Sequence, residues 1–190
     1  MAYALIGPSG APQPAAVVIL HRALHMSRST GAFLERWLRE TNDPEIFAGL
    51  SLQLADERRH FRLLTNEMKR LTGAPASPGP DLISDRPFLE AADAKSDLNR
   101  ICIIHHGVKA FTLDRYSHLI PIVDRPLALV LDQTARDLER HVRWADIRLA
   151  RHSSEDQRRQ HRLLIERIHH MLEVSWSKEW TRLTHTYGTG

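Results

Sequence analysis

The sequence predicts an all-α protein, and two patterns support that prediction. Apolar residues recur every three or four positions through several long segments, which places them along one side of a helix. No stretch of useful length alternates polar and apolar residues as a half-buried strand does. The 190 residues, 42% of them apolar and 26% charged, are enough for one domain with a substantial core.

The first two helices are delimited by proline. Residues 1–14 contain three prolines and two glycines, which predicts a flexible N-terminal arm before a domain over residues 15–190. A helix is expected from Ala15 to about Thr41, and Asp43 with Pro44 then has the pattern of an N-cap followed by the first helical residue. The second helix should run to about Leu71, with Glu57 on its apolar, inward side.

Three further helices come after a long connection. Residues 72–85 again hold three prolines and two glycines, so the link between helices two and three is predicted to span about 72–90. The third helix is expected over 91–120, and the fourth over 126–152 with Leu138 on its inward stripe. A new N-cap pattern at 153–156 predicts a fifth helix to about residue 181.

Two short stretches in these helices are near copies of one another. Asp56-Glu57-Arg58-Arg59-His60 reads D-E-x-R-H, and Asp137-Leu138-Glu139-Arg140-His141 reads D-L-x-R-H about eighty residues later. In each copy the second and fifth residues are three apart and share one helical face. The second copy has leucine where the first has a carboxylate.

In these motifs the chain resembles the ferritin-like diiron superfamily, in particular its bacterial members with D-E-x-R-H in both halves, which include tRNA-modifying hydroxylases. The resemblance covers about residues 15–151 and implies a four-helix bundle, here with an additional C-terminal helix. In that family helices one and three each supply one glutamate, and helices two and four each supply Glu-x-x-His. Glu57 and His60 match the helix-two motif, whereas helix four retains only His141.

The remaining family positions also depart from the pattern. The helix-one glutamate position falls at Met26, the helix-three position falls at His105, and Leu138 stands in helix four, so three of four glutamates are replaced. One carboxylate with neutral imidazoles offsets little of the charge of two irons, so an intact diiron centre is not expected. The resemblance then implies either no cofactor or one transition metal, Fe, Zn, Cu or Ni, held by Glu57, His60, His141 and His105. Which of His105 and its neighbour His106 faces the core stays open.

Asp56 and Asp137 carry a separate implication of the resemblance. In the family, the aspartate before the motif hydrogen-bonds the ligand histidine of the opposite helix. Both aspartates are present here, so a buried network of Asp56, His141, Asp137 and His60 is expected with or without a metal.

Two functions are compatible with this pattern. The first is a ferritin-like bundle protein with a degenerate diiron centre, noncatalytic or binding a single metal. The alternative is a metal-dependent oxidase or hydroxylase with a nonstandard His and Glu centre, so whether the chain is an enzyme stays open.

Composition excludes several partners. The net charge of +3 comes from 26 basic and 23 acidic residues, too slight an excess for a nucleic-acid footprint. The longest apolar run, Ala15 to Leu20, is too short to cross a bilayer and lacks a signal-peptide pattern, which predicts a cytoplasmic protein. A homodimer and a protein or small-molecule partner remain open.

Overall fold

The computed structural model describes residues 14–74 and 85–187, and helices account for nearly all of them. No strand occurs in these residues, so the all-α prediction is confirmed. The arm predicted for residues 1–14 lies outside the described part except for Pro14. The helices are α1 (Pro14–Glu40), α2 (Pro44–Thr72), α3 (Arg86–Asp93), α4 (Asp97–Ile101), a π-helix (Cys102–Lys109), α5 (Ala110–Leu119), α6 (Arg125–His152) and α7 (Glu155–Tyr187).

Local capping explains where the long helices begin and end. The Asp43 carboxylate accepts hydrogen bonds from the backbone N–H groups of Glu45 and Ile46, with Pro44 at the first helical position, as the sequence predicts. Gly73 then ends α2 with a φ of 69°, a left-handed conformation that glycine adopts without a steric penalty.

The prediction of one third helix over 91–120 is wrong in its boundaries. A separate helix, α3, begins at Arg86 and ends at Asp93, so helical structure starts inside the connection predicted over 72–90. Helix α3 ends at Asp93, and Ala94 has an extended backbone. A new helix starts after Ser96, whose hydroxyl accepts a hydrogen bond from the Asn99 N–H. From Asp97 to Leu119, α4, the π-helix and α5 continue one into the next without interruption.

Two apolar clusters occupy opposite ends of the bundle, with polar residues between them. The first cluster is formed by the C-terminal half of α1 and the N-terminal half of α2 together with later helices, and it includes Trp37, Leu50 and Ile104. The other takes the opposite halves of the same helices and includes Leu20 and Leu64. Helices α1 and α6 begin in the second cluster and end in the first. Helix α2 and the α4 to α5 stretch run in the opposite direction, from the first cluster to the second.

Two glycines allow helices to approach closely. A Cβ on Gly107 would lie 2.7 Å from Ile168 Cγ2, so the absence of a side chain lets α7 pack directly on the π-helix. A Cβ on Gly49 would similarly lie 2.6 Å from the Trp144 ring, where α2 meets α6. Within the described ranges, no helix combines the length and the apolar character that crossing a membrane requires.

Candidate functional site

The polar residues between the two apolar clusters form one layer, built from α2, the π-helix and α6. From α2 come Gln53, Asp56, Glu57 and His60. Asp56 and Glu57 are neighbours, and each lies three or four residues from both Gln53 and His60, so the four side chains share one inward face. The remaining members of the polar layer are His105 and Lys109 of the π-helix and Asp137 and His141 of α6, with Arg59 and Arg140 at its rim. His60 and His105 have no exposed surface, and Lys109 is only 1% exposed.

Two reciprocal Asp–His pairs join α2 to α6. His141 Nε2 lies 2.9 Å from Asp56 Oδ2, and His60 Nε2 lies 2.8 Å from Asp137 Oδ2. A carboxylate only accepts, so each imidazole donates from Nε2 and turns its Nδ1 toward the interior of the layer. The sequence resemblance anticipated both pairs.

Two arginines close the outer side of these pairs. Arg59 binds Asp137 Oδ2 and lies 2.8 Å from Asp56 Oδ1, while Arg140 lies 2.8 Å from an oxygen of each aspartate. Burial raises the pKa of Asp137, but its hydrogen bonds to His60, Arg59 and Arg140 outweigh burial and lower that pKa to about 2. Asp56 also keeps a pKa below its ordinary value, because His141 and Arg140 offset its burial.

Lys109 lies at the inner side of the layer. Its Nζ donates to Gln53 Oε1 at 2.8 Å and to His141 Nδ1 at 3.0 Å. It also forms an ion pair with Glu57, with 3.2 Å between Nζ and Oε1. Burial lowers the pKa of Lys109, and the charge and hydrogen bonding of Glu57 oppose that effect.

Glu57 is held as a carboxylate by the groups around it. Burial raises the pKa of Glu57, but the Lys109 charge and then His60 outweigh burial and lower it to about 2. The Ser27 hydroxyl of α1 lies 3.2 Å from Glu57 Oε2, and His60 Nδ1 lies 3.5 Å from the same oxygen, too far for a strong hydrogen bond.

Of the two neighbouring histidines, His105 faces the bundle interior and His106 does not. His105 Nε2 lies 2.8 Å from Gln53 Oε1, and its ring lies 5.1 Å from the Trp144 ring. His106 is partly exposed and lies 3.4 Å from Asp146. Burial, and then the Lys109 charge, lower the pKa of His105 far below its ordinary value.

A small cavity borders this layer, with about 20 Å³ open to the centre of a water molecule. Glu57, His60, Lys109, Met26 and Leu138 all line it. Met26 and Leu138, to which the sequence resemblance assigned the missing glutamate positions, therefore face the same space as Glu57 and His60. From the π-helix, Lys109 rather than His105 lines the cavity, which has room for about one water molecule.

The residues predicted as metal ligands, Glu57, His60, His141 and His105, all belong to the layer. The Lys109 ammonium, however, lies between Glu57 and His141 and binds both. Across the two described ranges, no group of three or more His, Cys, Asp or Glu side chains has a geometry that would hold a metal ion.

Sequence reasoning missed Lys109, Gln53 and Ser27. The available signal was the position of Lys109 in the largely apolar segment from Ile101 to Phe111. It is the only lysine of that segment, which contains no arginine or carboxylate. Arg59 was also missed, since it binds Asp137, whereas its neighbour Arg58 is exposed and pairs with Glu35. Comparisons of the chain with family models, curated proteins and solved structures gave no significant match.

Proposed function

We propose that this chain is a ferritin-like helical bundle that works without a metal and has a noncatalytic, structural or binding role. The observation that carries the proposal is the charge balance of the polar layer. The carboxylates of Asp56, Glu57 and Asp137 are matched by three cationic side chains of the protein. These cations are Arg59, Lys109 and Arg140.

This balance bears directly on metal binding. A transition-metal ion is held in proteins by ligands whose negative charge offsets its own. Here each carboxylate already contacts a cationic side chain, and burial together with the Lys109 charge lowers the pKa of His141 to about 3, so its imidazole is neutral. A divalent ion added to this layer would introduce positive charge with no carboxylate left to compensate it. The residues present therefore do not fit a diiron pair or a single metal ion.

The chain path supports the ferritin-like assignment. The order of helix directions requires one long crossover, between α2 and the stretch that begins at α4, which run the same way. Ferritin-like folds have one crossover of this kind. Met26 and Leu138, the residues at the positions that the sequence resemblance assigned to missing glutamates, both line the cavity beside Glu57 and His60.

In this proposal the polar layer sets the register of α2 against α6. A shift of either helix by one turn would separate both Asp–His pairs and leave buried carboxylates unpaired. Such networks favour a single arrangement of the helices over competing ones.

One observation favours the alternative of a metal-dependent oxidase or hydroxylase. Both His60 and His141 turn Nδ1 inward while a carboxylate holds Nε2, which is how histidine ligands of metals are commonly oriented. In that alternative Glu57, His60 and His141 would hold the ion, which would supply oxygen activation.

Elemental analysis of untagged protein tests the two candidates against each other. We expect less than stoichiometric metal after purification, and the same thermal midpoint with EDTA, Zn²⁺ or Fe²⁺ as in buffer alone. A Glu57→Gln, His60→Gln double variant is the matched control. One metal per chain that this variant loses would overturn the proposal and support the enzyme.

A further inference from the structure

We infer that the Lys109 ammonium is the resident cation of the polar layer, and that the surrounding acceptors form a binding site for an ammonium group rather than for a metal. The inference rests on the proposed metal-independent function and deepens it. It starts from the contact of Lys109 Nζ with three buried acceptors, each contributed by α2 or α6.

Two of these contacts are hydrogen bonds and the third is an ion pair. The acceptor atoms lie 2.8, 3.0 and 3.2 Å from Nζ. Typical N–H donors lie 2.7 to 3.2 Å from their acceptors, whereas zinc lies about 2.0 to 2.2 Å from nitrogen and oxygen ligands. A metal ion at the Nζ position would leave the ligand atoms too distant by about 0.6 to 1.2 Å.

The hydrogen-bonding roles of the acceptors also require a group with several donors. His141 donates from Nε2 to Asp56, so its Nδ1 presents a lone pair to Lys109. Gln53 presents its carbonyl oxygen, because Lys109 has no lone pair to accept from the amide when it is protonated. The third acceptor is the Glu57 carboxylate. An ammonium donates hydrogen bonds to Gln53 and His141, and its positive charge compensates the Glu57 carboxylate.

The same Gln53 oxygen also contacts His105. His105 Nε2 lies 2.8 Å from Gln53 Oε1, and its Nδ1 lies 3.2 Å from the carbonyl oxygen of Ile101. Both oxygens only accept, so the neutral ring donates to one of them. Gln53 Oε1 thus connects His105 to the acceptors around Lys109 Nζ.

Truncating the lysine should leave a cavity that prefers a free ammonium. In a Lys109→Ala variant the acceptors remain, and the removed side chain adds space to the neighbouring cavity of about 20 Å³. Methylammonium supplies the missing charge and donors, and replaces the Cε and Nζ atoms at the end of the removed side chain. A Lys109→Met variant is the matched control, because its uncharged chain fills that space.

The test compares thermal midpoints of the wild type and both variants in methylammonium chloride, ammonium chloride, sodium chloride and tetramethylammonium chloride at equal ionic strength. Both variants should lose at least about 6 °C, since one partner of a buried ion pair has been removed. Methylammonium and ammonium should restore part of the loss in Lys109→Ala, and none in Lys109→Met. Sodium and tetramethylammonium should restore nothing.

Two results would overturn the inference. One is a Lys109→Met protein as stable as the wild type, because the charge would then be dispensable. The other is a Lys109→Ala protein that gains more stability from one equivalent of Zn²⁺ than from methylammonium, because the acceptors would then form a metal site.

A measurement on the wild type keeps the test open if Lys109→Ala does not fold. The Nζ protons should give a slowly exchanging ammonium resonance in ¹⁵N-correlated NMR spectra, absent from Lys109→Met. A neutral amine at pH 7 would contradict the inference. Metal content of the wild type is read separately, so failure of the proposed function is distinguishable from failure of the ammonium site.

Discussion

The two copies of the D-x-x-R-H motif are alike on the outside of the polar layer and different on the inside. In both, the histidine donates to the aspartate of the other copy, and Arg59 and Arg140 bridge the two aspartates. Yet the pKa of His60 is raised, because Glu57 and Asp137 outweigh its burial, whereas burial and the Lys109 charge lower that of His141. Equal outer partners therefore do not determine the chemistry of a buried histidine when the inner neighbours carry opposite charges.

Making the first copy resemble the second should have the largest effect. A Glu57→Leu substitution leaves the Lys109 ammonium buried without its carboxylate, and we expect a loss of about 3 to 5 kcal/mol of unfolding free energy. Urea denaturation would measure it. The double variant Glu57→Leu, Lys109→Met should recover much of the loss, because removing both charges leaves none uncompensated. A double variant less stable than Glu57→Leu would contradict this explanation.

Making the second copy resemble the first is the converse change. Leu138 is 4% exposed in an apolar cluster, so a Leu138→Glu variant places a carboxylate where no cation is to spare. We expect a loss of about 2 to 4 kcal/mol, greater at pH 8 than at pH 5 because a buried glutamate with a raised pKa is neutral at the lower pH. Denaturation at both pH values measures the difference. Leu138→Met, which conserves volume, should cost less than about 1.5 kcal/mol.

Neutralising the aspartates one at a time should separate the two pairs. Asp137 faces the histidine of raised pKa and Asp56 faces the neutral one, so Asp137→Asn should cost more than Asp56→Asn. Hydrogen bonds to charged groups contribute about 1.5 to 3 kcal/mol, and the Asp137 bond should lie toward the upper end because its imidazole partner also carries charge below its raised pKa. Equal losses in thermal denaturation would show that the arginines, and not the histidines, determine the energetics of the outer side.

The pH dependence of stability should also differ between groups of the two motif copies. Glu57 and Asp137 have folded pKa values of about 2, below the unfolded values near 4, so their stabilisation is present above pH 4 and is lost as pH falls toward 2. His141, with a folded pKa of about 3, should also bind a proton more readily when unfolded, which lowers stability below about pH 6.5. His60 has the opposite sign: its contribution is present below pH 6.5 and is lost as pH rises through its raised pKa.

Imidazole NMR titration reads the two histidines directly. The His60 ring should change protonation above pH 6.5, while the His141 ring should keep one tautomer down to the onset of acid unfolding. In Lys109→Met the His141 pKa should rise, because the nearest positive charge has been removed. No movement in that variant would assign the lowered pKa to burial alone.

Most of the fold was predictable from local patterns in the sequence. The end of α1 and the start of α2 were predictable because Asp43 and Pro44 act on their immediate neighbours. The break before Ser96 was not, since apolar periodicity continues on both sides of it and only the capping hydrogen bond interrupts the helix.

The α2 and α6 residues of the motif pair were predictable from the sequence, but the role of Lys109 in the π-helix was not. Residue spacing identifies Glu57 and His60 as neighbours on a regular helix, and the repeated motif identifies their counterparts. In the π-helix, hydrogen bonds run from residue i to i+5, as between His105 O and Ala110 N, so counting on a regular helix misplaces side chains. The sequence resemblance selected His105, which does belong to the polar layer, but it did not select Lys109, which contacts Glu57 and His141.

The π-helix has a consequence for how such a protein could change over generations. Each residue added to or removed from a helix rotates the C-terminal part of that helix by about 100° relative to the N-terminal part. In the π-helix, loss of one codon between residues 102 and 109 would instead be absorbed locally, because its i to i+5 hydrogen bonds would revert to i to i+4 bonds, and the side chains of this segment that face the polar layer, Lys109 among them, would change. The charge at the centre of the bundle thus depends on the number of residues in the π-helix as well as on the identity of residue 109.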